Sequence, residues 1–235
     1  MTASQRTGRE ELIRLVARIC AQVFAVVLLS MGTLAAATLD VVVLDRKGKP
    51  VADVVVLLES STGTPLSIGA AQQNTFEMDQ RNMMFDPYIL VVPVGSAVTF
   101  LNSDATAHHV YSFSKTKRFT LPLYKGTAPE PVVFDQTGVV TLGCNIHDHM
   151  VGYILVAEST LHARTDAQGR ATIEIEGDGA DMQLRIWSPR IRDKLKHLVQ
   201  SASTSEPVQF KLKKKLKPPH NPHDTGSGEW EDYSQ

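Results

Sequence analysis

The chain has 235 residues, 43% hydrophobic and 21% charged, which allows a sizeable core and one or two domains. A formal net charge of -1 excludes the broad basic surface that nucleic acid requires. Phosphate-cradling glycine loops, nucleophile elbows and paired-cysteine zinc patterns are absent from it.

Residues 1–37 read as a cleaved secretory signal in preference to a retained anchor. Arg6, Arg9, Arg14 and Arg18 form a basic start, Phe24 to Leu29 opens an apolar stretch, and Ala35-Ala36-Ala37 offers a small-residue cleavage site. The apolar run is shorter than the ~20 residues of a membrane-spanning helix. The mature chain is therefore expected in the periplasm, with no stable membrane span. Cys20 leaves with the signal, and Cys144 stays behind as a lone thiol in an oxidising compartment.

From Thr38 the pattern is β throughout. Residues 39–45 and 51–59 read as strands joined by the turn Arg46-Lys47-Gly48-Lys49-Pro50, and Ser60 to Asn74 as a connecting loop. Strands follow over 76–79, 88–94 and 97–102, and no stretch from there to Glu158 has helical periodicity. After Glu158, further strands are expected near 170–175, 182–187 and 207–212. The tail from Lys213 (Lys-rich, then Pro, Gly, Ser and His220 and His223) reads as a solvated, disordered segment.

The chemistry concentrates in Gly143-Cys144-Asn145-Ile146-His147-Asp148-His149-Met150, read as a loop between strand-like runs. A thiolate, an imidazole and a thioether recur there with two residues between neighbours, close enough to face one point. Soft sulfur with imidazole suits copper, and zinc as second choice. A blue-copper site needs one more imidazole, and His108 or His109, after the 97–102 strand, can supply it.

Val98-Thr99-Phe100-Leu101-Asn102 through His108, then Cys144-x-x-His147-x-x-Met150, resembles the cupredoxin family of plastocyanin, azurin and amicyanin, with the Cys-to-Met spacing most similar to amicyanin. The resemblance covers residues 76–158. It implies a Greek-key sandwich holding one type 1 copper ion, with His108, Cys144 and His147 equatorial and Met150 axial. His109 falls in a supporting position, and His149 is a competing donor where a bulky residue would be unsurprising. The stretches around His108-His109-Val110-Tyr111 and Leu142-Gly143-Cys144-Asn145 are also similar to those of exported proteins described as methylamine-utilisation proteins.

Asp45-Arg46-Lys47-Gly48-Lys49-Pro50 and Thr165-Asp166-Ala167-Gln168-Gly169 resemble the paired turns of a transthyretin-like, carboxypeptidase regulatory-like β-sandwich. The expected architecture is all-β: residues 38–60 plus 160–213 form this sandwich, and the cupredoxin unit at 76–158 is inserted into it, with a disordered tail over 214–235. Loop tips tolerate such insertion. The resemblance implies single-electron transfer by Cu(II)/Cu(I) cycling with a redox partner protein, a c-type cytochrome or a dehydrogenase. With four ligands filling the site, no enzymatic activity is expected. The alternative is a periplasmic copper-binding or partner-docking module without a redox role.

Overall fold

The computed structural model describes residues 36–62, 75–159, 161–176, 181–192, 199–202 and 206–219. The segment read as a signal, through residue 35, most of the 60–74 loop, and the tail from residue 220 with His220 and His223 lie outside the described residues.

The described residues form strands and no helices. In chain order these are β1 (Ala36–Leu44), β2 (Val55–Ser60), β3 (Thr75–Arg81), β4 (Met84–Asp86), β5 (Ile89–Pro93), β6 (Ser96–Phe100), β7 (His108–Ser112), β8 (Phe119–Tyr124), β9 (Val132–Phe134), β10 (Gly138–Cys144), β11 (His147–Ala157), β12 (His162–Arg164), β13 (Arg170–Glu176), β14 (Met182–Trp187), β15 (Val199–Ser201) and β16 (Val208–Lys211).

They build four sheets, in the orders β13-β1-β16, β12-β2-β14-β15, β5-β11-β10-β7-β8 and β4-β3-β6-β9. The two sheets made from residues 75–157 contain no strand from outside that span. The first and last parts of the chain pair with each other: β1 lies antiparallel to β13 and parallel to β16, and β2 lies antiparallel to β12 and β14. The fold is all-β, with one sandwich inserted into another.

Two turns stitch the outer sandwich together. The Asp45 carboxylate accepts the backbone N–H groups of Lys47 and Lys49, and Asp166 accepts those of Gln168 and Arg170. Gly169, at φ +70°, runs so close to β1 that a Cβ would sit 2.5 Å from the carbonyl oxygen of Val43. Thr165 donates its hydroxyl to Val51 O and accepts the N–H of Val54. That lock, with Asp53 at φ +60°, holds 51–54 out of the ladder, so the strand expected from residue 51 begins at Val55.

Burial follows strand periodicity in β1, where Leu39, Val41 and Val43 point inward. It does not in β2. Val54, Val56 and Leu58 belong to the outer sandwich's core, while Val55 and Leu57 pack on Ile89, Val91, Tyr153 and Leu155 of the inserted unit. Tyr153 meets Trp187 edge-on across the same junction at 5.6 Å between ring centroids. A third cluster, including Met78, Phe100, Val110, Phe134, Leu142 and Ile154, fills the inserted sandwich itself. The four sheets are therefore stacked, and β2 and the second half of β11, in the two middle ones, are buried on both faces.

Candidate metal centre

One end of the inserted sandwich gathers three donor-bearing strand ends. The residues expected in a single loop lie instead in a hairpin: β10 ends at Cys144, only Asn145 and Ile146 turn, and β11 begins at His147 opposite Cys144. Cys144 pairs with His147 and Gly143 with Val151, so Asp148, His149 and Met150 are extra residues of β11 at a break in the register. His108 opens β7, whose Val110 pairs with Cys144. Register irregularities at Gly143/Cys144 and at His108/Val110 re-aim the side chains beside them. The approach is close: a Cβ on Gly143 would lie 2.7 Å from the Tyr111 ring, so any larger residue before the cysteine would have to displace that ring.

The structure brings His108, Cys144 and His147 together. Their Nδ1 atoms are 3.2 Å apart, and the Cys144 sulfur lies 3.8 Å from His108 Nδ1 and 3.6 Å from His147 Nδ1. His108 is fully buried, Cys144 nearly so, and His147 partly exposed. An ion with bonds of about 2.0 Å to nitrogen and about 2.3 Å to sulfur, at the centre of a trigonal plane, separates its donors by roughly 3.5 and 3.7 Å. The three donors fit one first-row metal ion.

The supporting contacts settle how each donor is presented. His108 Nε2 lies 2.8 Å from Asp104 Oδ2, so its proton belongs on Nε2 and the Nδ1 lone pair faces the cluster. Asp104 also accepts the backbone N–H groups of Asn82 and Met83 at 2.6 and 2.9 Å. Burial alone would raise the Asp104 carboxyl. The Met83 N–H, the His108 ring and the Asn82 N–H outweigh it and hold the group below the usual carboxylate range. His147 is pushed below the ordinary histidine value, first by burial and then by its neighbours His108 and His149. It is thus kept neutral, the form that binds a metal.

Asn102 ties the loop between β6 and β7. Its side-chain amide donates to Thr106 O and Tyr124 O, and its oxygen accepts the N–H of Asp104. His109 points away from the cluster, against Tyr111, with Nδ1 buried and without a hydrogen-bond partner. Met150 is buried in the same apolar cluster as Cys144. His149 lines a cavity of about 280 Å³ between the two sandwiches, its ring 6.1 Å from that of His147. Sequence reasoning missed Asp104. Its place four residues before His108 was the available signal.

The unit is two facing sheets with a His-Cys-His cluster at one end, built from β7 and the β10–β11 hairpin, and its fold is that of a cupredoxin-like sandwich. The cupredoxin unit has likenesses among solved structures. A purple cupredoxin from Nitrosopumilus maritimus is 26% identical, with 35% of this chain and 99% of that one covered and a TM-score of 0.32. A reduced Cu(I) form of an amicyanin mutant is 22% identical, covering 43% and 98% with a TM-score of 0.33. A copper-containing nitrite reductase from Thermus scotoductus is 21% identical, covering 49% of this chain but only 28% of the reductase, with a TM-score of 0.34. No protein-family model matches the chain, and no curated protein does.

Proposed function

We propose that the protein is an exported carrier of single electrons that binds one type 1 copper ion. His108, Cys144 and His147 are the equatorial ligands in this reading, and Met150 is the axial one. The observation that carries it is the convergence of two imidazole nitrogens and one sulfur within 3.2 to 3.8 Å of one another. A thiolate with two imidazoles selects copper over harder ions. When bound, copper supplies a one-electron couple between Cu(II) and Cu(I).

The chain's own residues do the rest. Asp104 holds the His108 tautomer, and Asn102 and Tyr111 fix the backbone on either side of the donors. Burial of His108, Cys144 and Met150 excludes water and leaves no position for a substrate, which argues against an enzyme. His147, beside the half-exposed Ile146, is the ligand nearest solvent and the natural point of electron exchange. The partner fits a periplasmic redox protein, a c-type cytochrome or a dehydrogenase.

Adding Cu(II) to the purified protein tests this directly. One equivalent is expected to give intense blue to purple absorption that bleaches on reduction and returns on oxidation. Colourless, tight binding would instead favour a copper-binding or partner-docking module without a redox role.

A further inference from the structure

We propose that the cavity between the two sandwiches binds a small organic monocarboxylate with an apolar, ring-sized body. None of His108, Cys144, His147 and Met150 lines this cavity, so the site stands apart from the metal centre and does not rest on the copper reading.

The cavity holds about 280 Å³, or roughly nine water volumes of ~30 Å³ each. That is room for one small organic molecule, and junctions between folded units are where such pockets recur. Its two sides differ in chemistry. The cupredoxin unit presents Phe85, Ile89 and Val151. Phe85 and Ile89 are buried, and Phe85 packs hard on β11: a Cβ on Gly152 would lie 2.7 Å from the Phe85 Cβ. This wall is apolar and fixed.

The outer sandwich presents donors. Ser188 and Arg190 line the cavity from the segment that follows β14. Arg190 is half-buried and held by its stem, with Nε donating to Lys217 O at 3.2 Å and its own carbonyl accepting the Lys217 N–H. The two terminal guanidinium nitrogens have no partner among the described residues. Ser188 is buried, and its oxygen accepts the Arg190 N–H at 3.4 Å. A hydroxyl that accepts still has its proton to give, and Ser188 donates to no described residue.

A held guanidinium with both ends unspent matches the two oxygens of a carboxylate, and the Ser188 hydroxyl adds a further donor. Charge sets the valence. Arg164 and Asp53 also line the cavity, but they pair with each other at 2.9 Å and cancel. Arg190 leaves one positive charge to be matched, which selects a monoanion over a dianion. The opposite wall sets the rest of the ligand. Sulfate or phosphate would leave Phe85, Ile89 and Val151 against water, whereas a hydrocarbon would leave the guanidinium desolvated and unpaired. A carboxylate on an apolar body satisfies both sides.

The test is calorimetric titration of phenylacetate into the full-length protein. Binding at a single site is expected, with a Kd below about 1 mM. Phenylacetamide keeps the shape without the charge and is expected to bind at least about tenfold more weakly, since hydrogen bonds to charged groups contribute about 1.5–3 kcal/mol. R190Q removes the charge and is expected to weaken phenylacetate by a similar factor. V151F fills the cavity from the other wall and is expected to abolish binding. Circular dichroism shows that each variant is folded, and the acid–amide comparison needs no variant at all. No saturable heat up to about 10 mM phenylacetate overturns the site. So does equal affinity for acid and amide, or unchanged binding in either folded variant.

Discussion

His108 Nε2 and Asp104 Oδ2 meet at 2.8 Å, and through that contact a fully buried imidazole is bound to a carboxylate that also fastens a separate turn of the chain. The contact assigns Asp104 two tasks, fixing the tautomer of one ligand and placing a negative charge beside the centre. Asp104→Asn removes the charge and weakens the orientation. Copper affinity is expected to fall roughly 10- to 100-fold, as for other partners of metal-bound histidines. The reduction potential is expected to rise, because the lost charge had favoured Cu(II). Chelator competition and a redox titration read the two effects, and an unmoved potential would take Asp104 out of the account.

Replacing the sulfur is the most direct change. Cys144→Ser keeps the size but offers copper no soft thiolate, so the intense absorption is expected to vanish. A variant that stays coloured would show that Cys144 is not a ligand.

Met150 and His149 are neighbours with different surroundings, the first buried beside Cys144 and the second lining the cavity between sandwiches. Met150→Leu is expected to retain copper and raise its potential, with a clear spectral change. His149→Ala is expected to leave the spectrum nearly as it was. The reverse ranking would make His149 the axial donor.

Tyr124, paired with His108 across β7 and β8, supplies a pH signature of its own. Its hydroxyl donates to Phe100 O and accepts from the buried Gln80 amide, and burial pushes its pKa up to about 12. The unfolded phenol ionises near pH 10. Between these values the folded state holds a proton that the unfolded state has lost, so stability present below pH 10 declines as pH rises toward 12. Denaturation midpoints measured from pH 8 to 11 are expected to fall, and Tyr124→Phe to flatten that fall. The substitution itself costs about 1–3 kcal/mol, from the hydrogen bonds it breaks.

The double burial of β2 predicts that the two sandwiches melt as one. Leu57 belongs to the outer sandwich by pairing and to the cupredoxin unit by packing. Leu57→Ala is expected to cost about 2–5 kcal/mol and to lower the loss of copper colour and the loss of sheet structure together. Two calorimetric peaks, only one of them shifted, would mean the units unfold separately. For the same reason, cutting out residues 74–158 exposes Val55, Leu57 and Trp187, and the remaining sandwich is expected to self-associate unless that face is made polar.

The convergence of Cys144 and His147 was legible because metal chemistry needs few residue types at short spacing, and the two lie three positions apart. Paired turns at Asp45 and Asp166 were legible too, since each uses a side chain to close its own backbone. The short strands β4, β8, β9, β12 and β15 were not. Three to six residues carry too little periodicity, and their pairing is set by neighbours distant in sequence. The stacking left a signal that alternation alone does not capture. Val54-Val55-Val56-Leu57-Leu58 and Tyr153-Ile154-Leu155-Val156-Ala157 are unbroken apolar runs, the mark of strands covered on both faces.

The pairing of β1 also bears on the order in which the chain can fold. Asp40 meets its hydrogen-bond partner Thr172 only 132 positions later, and between them lies the whole cupredoxin unit. The first two strands are synthesised with nothing to join, while every partner needed by residues 75–157 is present once that span is complete. Contacts so distant in sequence form slowly. The middle of the chain is thus free to fold first and to offer its β5–β11 face as a template for β2. The segment that finally closes β1 along its second edge, Val208–Lys211, is made after every other described strand.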